Sequence, residues 1–396
     1  MNAILYRYNS ICEPDIIITF ERLGLNVIEI KEEMTNKKIS ASERIKLVSE
    51  SISAYNPLFV FSINFFPGIA DVCNITHVTY ISWSVDSPVT EYFSTSILHS
   101  TNRIFLFDRA QYERFHKYNP QCIYHMPLAS ATERFDKTIA EITPSDRSRF
   151  SHDICFVGSL YSERNPLKGI ELSDYNAGFI DALVNAQFLI IGHCFTESAI
   201  TEACIDELKR LFSTKFTYSD TVENPDRYIA AHSIINYDIA EYERTLTLNT
   251  LAEYFDVTLY TKSDRSPLSS KVKVPSDADT LTEMPKIFYL SKINLNMTLR
   301  SIQKGLPLRI FDILGCGGFL MTNYQDELND YFEIGKDLEA YSSFPELVDK
   351  CDYYLSHDSV RNQIRRSGYE KVKHQHTYYH RLARIIRKCT DNIQGE

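Results

Sequence analysis

A chain of 396 residues has room for two or three domains with full cores, and 44% apolar and 24% charged residues with only 13 glycines and 14 prolines exclude a disordered, collagenous or low-complexity protein. Fifty-two acidic against 42 basic residues leave a net charge of −10, whose field repels polyanions and argues against nucleic acid as a partner. Nine cysteines without a C-x-x-C pair fit neither a zinc ribbon nor a disulfide framework. The N-terminus lacks the basic and cleanly apolar stretches of a secretory signal, and the most apolar segment, 58–70, is too short to span a bilayer. The expectation is a cytoplasmic protein with no integral membrane segment.

From the N-terminus, β-rich runs alternate with helical patterns: 3–8 then 15–23, 26–30 then 42–55, 58–63 then 67–73, 78–83 then 89–99, 103–107 then 109–118, and last 122–126. Parallel neighbours need a crossover and the crossover is normally helical, so this rhythm predicts an α/β unit with a parallel, Rossmann-like sheet. The polar stretch 132–151 reads as a linker, which sets an N-terminal domain at 1–150. A second α/β series begins with the strand 153–157 and its turn at Gly158, restarts at 256–262 and 293–298, and ends at 319–323. Residues 165–250 are mostly helical and read as an insertion in a second domain, 151–375, with a closing helix over 376–396.

The segment 292–323 carries the chemistry. A strand leads to a loop with Arg300, Lys304 and Gly305, then to a helix with Pro307 at its start and Gly315 near its end. A helix N-terminus offers unsatisfied N–H groups and a partial positive charge, and Gly305 permits close backbone approach, so a phosphate can sit there with Arg300 and Arg309 beside it. Arg309 and Asp312 share one helical face; either Asp312 takes ribose hydroxyls while the arginines hold a diphosphate, or the two form a salt bridge on a solvated face. Asn296 and Gly317 either line the same pocket or serve plain turns.

At this point the chain resembles the CgeB-like (spore maturation protein type) glycosyltransferases of the GT-B fold. The likeness runs through 291–323, Phe61 to Ala70, Tyr80 to Pro88 with its Trp83 and Asp86, Phe105 to Gln111, the Phe156-Val-Gly-Ser-Leu-Tyr161 string and His376-Thr-Tyr378. It implies two Rossmann-like domains facing across a cleft, the first binding an acceptor and the second a nucleotide sugar, with no metal and no cofactor beyond that co-substrate, a UDP-sugar being the best match. It places Asp312 on the ribose and Arg164 and Lys168 near the diphosphate. Where such enzymes often carry a Glu near the sugar this chain has Lys304, so the sugar stays open. The acceptor it implies is a protein, such as flagellin or a spore-surface protein, or a surface glycan of a bacterium.

In the first domain Asn64, Trp83 and Asp86 follow strand ends, where open α/β sheets place ligands. Asp86 is the candidate base for an acceptor hydroxyl, or a turn residue before Ser87-Pro88; Trp83 lines the cleft or sits in the core. Asp277-Ala-Asp279 and the histidines at 374, 376 and 380 lack the context of a metal site. Rival readings are a non-catalytic surface-assembly protein that keeps the fold and a sugar-nucleotide epimerase.

Overall fold

The β-rich runs of the first 130 residues form six strands: β1 (Asn2–Tyr6), β2 (Asn26–Ile30), β3 (Phe59–Ile63), β4 (Thr79–Trp83), β5 (Asn102–Leu106) and β6 (Ile123–His125). They pair in the order β2-β1-β3-β4-β5-β6, all parallel, with Leu5 opposite Phe61 and Ile63 opposite Trp83. All five residues of β3 are buried, as a strand covered on both faces requires. The crossover Glu13–Arg22 packs Phe20 edge-on against Phe61 at 5.1 Å. The computed structural model describes residues 1–391, and its contacts group Met1–Ala129 with Tyr218–Pro225 and the chain from Thr377 onward as one unit, and Ser130–Thr217 with Asp226–His376 as the other.

The second unit carries a five-stranded parallel sheet of β7 (Ile154–Val157), β8 (Val257–Tyr260), β9 (Ile293–Asn296), β10 (Leu320–Asn323) and β11 (Glu339–Tyr341), in the order β11-β10-β9-β7-β8. Its core is built on Ile154, Phe156, Leu259, Ile293, Leu295 and Met321. The helices Asp174–Phe188 and Glu202–Leu211 and the long helical run from Asp226 to Leu251 bury a separate cluster around Leu183, Ile205, Leu208 and Ile235. That long run is interrupted by a π turn at Ala231–Ile235.

Three local expectations are corrected. The linker at 132–151 is two helices, Thr132–Ala140 and Pro144–Phe150. The second starts with a reciprocal cap between Thr143 and Asp146, and Phe135 and Phe150 supply the buried side chains. The helix expected at 89–99 is two 3₁₀ turns, Thr90–Phe93 and Thr95–Leu98, because Ser94 is extended and turns its hydroxyl to the Ser96 N–H. The edge strand β11 has no hydrophobic run to announce it; Glu339 is accommodated there by Lys350 at 2.7 Å and the Tyr354 hydroxyl at 2.9 Å. The closing segment, where the sequence allows one or two helices over 359–388, is two, Asp358–Gln375 and Tyr378–Asp391, and the second groups with the first unit; positions 392–396 lie outside the described residues.

Candidate functional site

A doubly wound sheet binds ligands beyond the carboxyl ends of the two strands where its winding reverses. In the first unit these are β1 and β3. Past β1, the wholly buried carboxylate of Glu13 accepts the backbone N–H groups of Tyr8 at 2.9 Å and Ser10 at 3.0 Å and pairs with the Arg7 Nε at 3.0 Å. The amides that would meet a phosphate there are therefore already held by a carboxylate. Past β3, Asn64 adopts left-handed backbone geometry (φ +55) and acts as a hub. Its Oδ1 accepts the Val85 N–H at 3.0 Å, and its Nδ2 donates to Asp86 Oδ2 at 2.6 Å and to the Tyr8 hydroxyl at 2.9 Å. Asn64 and Asp86 are thus brought together, with Asp86 exposed to solvent. Burial first, and the Asp86 charge second, push the Tyr8 hydroxyl up, so it stays protonated. Trp83 is a correction: it is 0% exposed, donates its indole N–H to the Met126 carbonyl at 3.2 Å and meets Tyr378 edge-on, so it is a core residue and lines no ligand surface.

In the second unit the winding reverses between β7 and β9. Gly158, just past β7, donates its N–H to the Tyr260 carbonyl at 3.0 Å, and Tyr161 in the following loop takes a positive φ of 69. Between the two strand ends lies Arg244, from the helix Asn236–Leu251. Its guanidinium donates to the Ser159 carbonyl at 2.5 Å and to the Met297 carbonyl, and it stacks 4.4 Å from the Tyr161 ring centre and 5.2 Å from that of Phe156. Burial draws its pKa down. The neighbouring Arg300 behaves in the opposite way: burial acts to lower its pKa, but the carboxylate of Glu243 outweighs this and the net shift is upward. Arg300 Nε lies 2.9 Å and 3.1 Å from the two Glu243 oxygens, at the wall of a cavity of about 40 Å³ shared with Phe188, Thr298 and Tyr341. The diphosphate role expected for Arg300 is corrected accordingly, since its charge is balanced by Glu243 within the unit.

Asn296 is likewise internal, bonding Thr298 at 3.0 Å and Thr322 at 2.9 Å while 3% exposed. Gly317 is a helix-end turn with φ +67 whose carbonyl accepts from Arg365 Nε at 2.6 Å; of its two readings the turn is the one observed. The loop 299–307 is held from behind: Gln325 donates to the Ile302 carbonyl at 2.9 Å and the Gly305 carbonyl at 3.3 Å, the Lys304 carbonyl accepts from the Glu327 N–H, and the Ser301 hydroxyl reaches the His232 carbonyl in the π turn. His232 itself is fully buried, 2.9 Å from Glu197 and 3.0 Å from Gln303.

The helix Leu308–Gly315 begins at Pro307, as its sequence predicts. Arg309 lies 3.6 Å from Asp312 and packs its guanidinium over Phe288 and against Met284, so the salt bridge is present, although Asp312 is only 9% exposed rather than on an open face. Gly315 allows a close approach, since a Cβ there would fall 1.9 Å from the Ser130 hydroxyl. Arg164 is exposed, 6.0 Å from the Tyr161 ring centre, and Lys168 pairs loosely with Glu241 at 3.7 Å and Asp264 at 3.8 Å. Sequence reasoning missed Tyr8, Glu13, Glu243 and Arg244. The last two lie inside a helix of the insertion, and no motif spacing links them to the strand ends they meet. Among the described residues no group of three or more His, Cys, Asp or Glu is arranged to hold a metal ion, and no helix is long and apolar enough to cross a membrane.

Residues 247–387 match a family model described as glycosyl transferase-like, and no curated protein matches the chain. Solved structures resemble it over its length. Sucrose-phosphate synthase from Thermosynechococcus elongatus is 8% identical with a TM-score of 0.58, over 99% of this chain and 100% of that one. A glycosyltransferase from Rickettsia africae ESF-5 is 10% identical with a TM-score of 0.53, over 100% and 99%. Anabaena HepE in complex with UDP and glucose is 10% identical with a TM-score of 0.51, over the whole of both chains. At such identities the likeness is one of fold: two parallel-sheet α/β units of the GT-B kind.

Proposed function

We propose that the protein is a glycosyltransferase that moves a sugar from a nucleotide-diphosphate donor to an acceptor hydroxyl. The observation that carries this reading is the glycosyl transferase-like match over 247–387, which takes in β9, the loop behind it and the helix with Arg309 and Asp312. In this reading the second unit holds the donor. Asp312 accepts hydrogen bonds from the ribose, and protein cations with the helix N-terminus stabilise the departing diphosphate in place of a metal. The first unit supplies the acceptor side: Asp86, oriented by Asn64, takes the proton from the attacking hydroxyl. A UDP-sugar is the donor proposed, in keeping with the UDP and glucose of the HepE complex. The finer placement is a CgeB-like bacterial enzyme working in the cytoplasm on a protein or surface glycan.

The test is a thermal-shift and calorimetric screen against UDP, GDP, CMP, dTDP and their sugar conjugates, with and without divalent metal. One diphosphate nucleotide is expected to stabilise the protein without metal, and Asp312→Ala to remove the effect. Absence of any stabilising nucleotide makes a non-catalytic assembly protein the better reading, and donor turnover without acceptor makes it an epimerase.

A further inference from the structure

Arg244 is 8% exposed, and among the described residues no carboxylate pairs with it. The nearest acidic neighbour along the helix, Glu243, is engaged by Arg300. A guanidinium has five N–H donors, and the carbonyls of Ser159 and Met297 take two. Holding an unbalanced charge out of water is costly, so such a group is stable when an anion completes it. Its place also matters, because it bridges the ends of β7 and β9, where the winding of the sheet reverses and ligands bind. Tyr161 adopts a left-handed backbone that tyrosine rarely takes, and it does so in the position that stacks its ring on Arg244 while Arg164 approaches the same ring from 6.0 Å. Glu163, the carboxylate of this loop nearest Tyr161 in sequence, turns its oxygens to the Ser159 hydroxyl at 2.6 Å and the Ser263 hydroxyl at 2.7 Å.

We propose that Arg244, stacked on Tyr161 between the ends of β7 and β9, is an anion seat that holds the diphosphate of the donor, in the role that the sequence assigns to Arg300. The identity of the anion rests on the function proposed above; the seat itself rests on the unbalanced guanidinium at the switch point. Arg164, free of ion pairs among the described residues, is placed to close on the same anion from the exposed side of the ring.

The experiment is calorimetric titration of the full chain and of Arg244→Met with inorganic pyrophosphate, with UDP, GDP, CDP and dTDP, and with the matching nucleosides, with Tm recorded for each protein. Wild type is expected to bind pyrophosphate and one nucleoside diphosphate. Arg244→Met weakens both roughly 10- to 100-fold while nucleoside binding is unchanged, the size expected for hydrogen bonds to a charged group. A folded Arg244→Met that binds pyrophosphate and diphosphate as wild type does overturns the proposal. If Arg244→Met does not fold, Arg244→Lys decides: it keeps the charge and loses the fork, so about a tenfold loss of pyrophosphate affinity supports the seat and unchanged affinity overturns it. Pyrophosphate binding that depends on Arg244, with none of the nucleoside diphosphates bound, overturns the nucleotide-sugar reading and leaves the seat standing. Diphosphate binding indifferent to Arg244 does the reverse, and a wild type that binds neither overturns both.

Discussion

The two sheets reverse their winding in the same way, yet the groups set at the two switch points have opposite charge and opposite accounts. In the first unit the buried group is the Glu13 carboxylate, and the Arg7 guanidinium and two backbone amides satisfy it within the unit. In the second it is the Arg244 guanidinium, which finds two carbonyls and two aromatic rings but, among the described residues, no carboxylate. The first crevice is closed to phosphate by a built-in anion, whereas the second retains a positive charge for one. One backbone plan thus carries a balanced carboxylate at one switch point and a guanidinium held by carbonyls and rings at the other.

That contrast can be broken most directly at Glu13. Glu13→Ala strands two amides and one of the Arg7 pairings in a buried place, and a loss of about 3 kcal/mol in urea unfolding is expected; a loss below about 1 kcal/mol would mean the carboxylate is replaceable by water and the crevice open. The acceptor side is sharpened by Asp86→Asn, which keeps the Asn64 contact in outline but removes the proton acceptor. Transfer is expected to fall about 100- to 1,000-fold with donor affinity unchanged, and transfer at wild-type rate would return Asp86 to a turn role. Trp83→Phe deletes a buried ring and its bond to Met126 and should cost about 1–3 kcal/mol of stability with no change in the acceptor KM; a change in KM at full stability would put Trp83 back on a ligand surface. The smallest effect belongs to Asp238. Burial first, with Glu241 and Asp181 adding repulsion, holds its pKa above the ordinary carboxylate range. A raised carboxylate pKa favours the folded state only while the group is protonated, so stability is lost as pH rises through the folded pKa. Asp238→Asn should therefore raise the Tm at pH 7 by an amount worth up to about 1 kcal/mol, and the gain should vanish in acid; a loss at pH 7 would reverse the sign of this reading.

Much of the fold was legible because parallel strands covered on both faces are nearly continuous apolar runs, and β3 and β7 declare themselves in that way. The helix Leu308–Gly315 was legible from Pro307 and the glycines that follow it. The polar helices at 132–150 were not, because capping by Thr143 and Asp146 substitutes for an apolar stripe, and the edge strand β11 was not, because its Glu339 is made acceptable by Lys350 and Tyr354, remote in sequence and brought beside it by the fold. At the candidate site Asn64 and Asp86 were found by their place after strand ends, and the structure joins them at 2.6 Å. Trp83 and Asn296 follow the same positional rule and yet face inward, since position along a strand does not say to which side a side chain turns.

What the chain determined by itself is local: the alternation that makes two parallel sheets, the breaks that bound each element, and the residue types set at strand ends. Which cation is neutralised and which is left open was decided only in three dimensions. Glu243 and Arg244 are neighbours in sequence, but on a helix successive side chains point about 100° apart, so one meets Arg300 and the other the ends of β7 and β9. Charge balance depends on distances between segments remote in sequence, and composition and spacing carry no such distances.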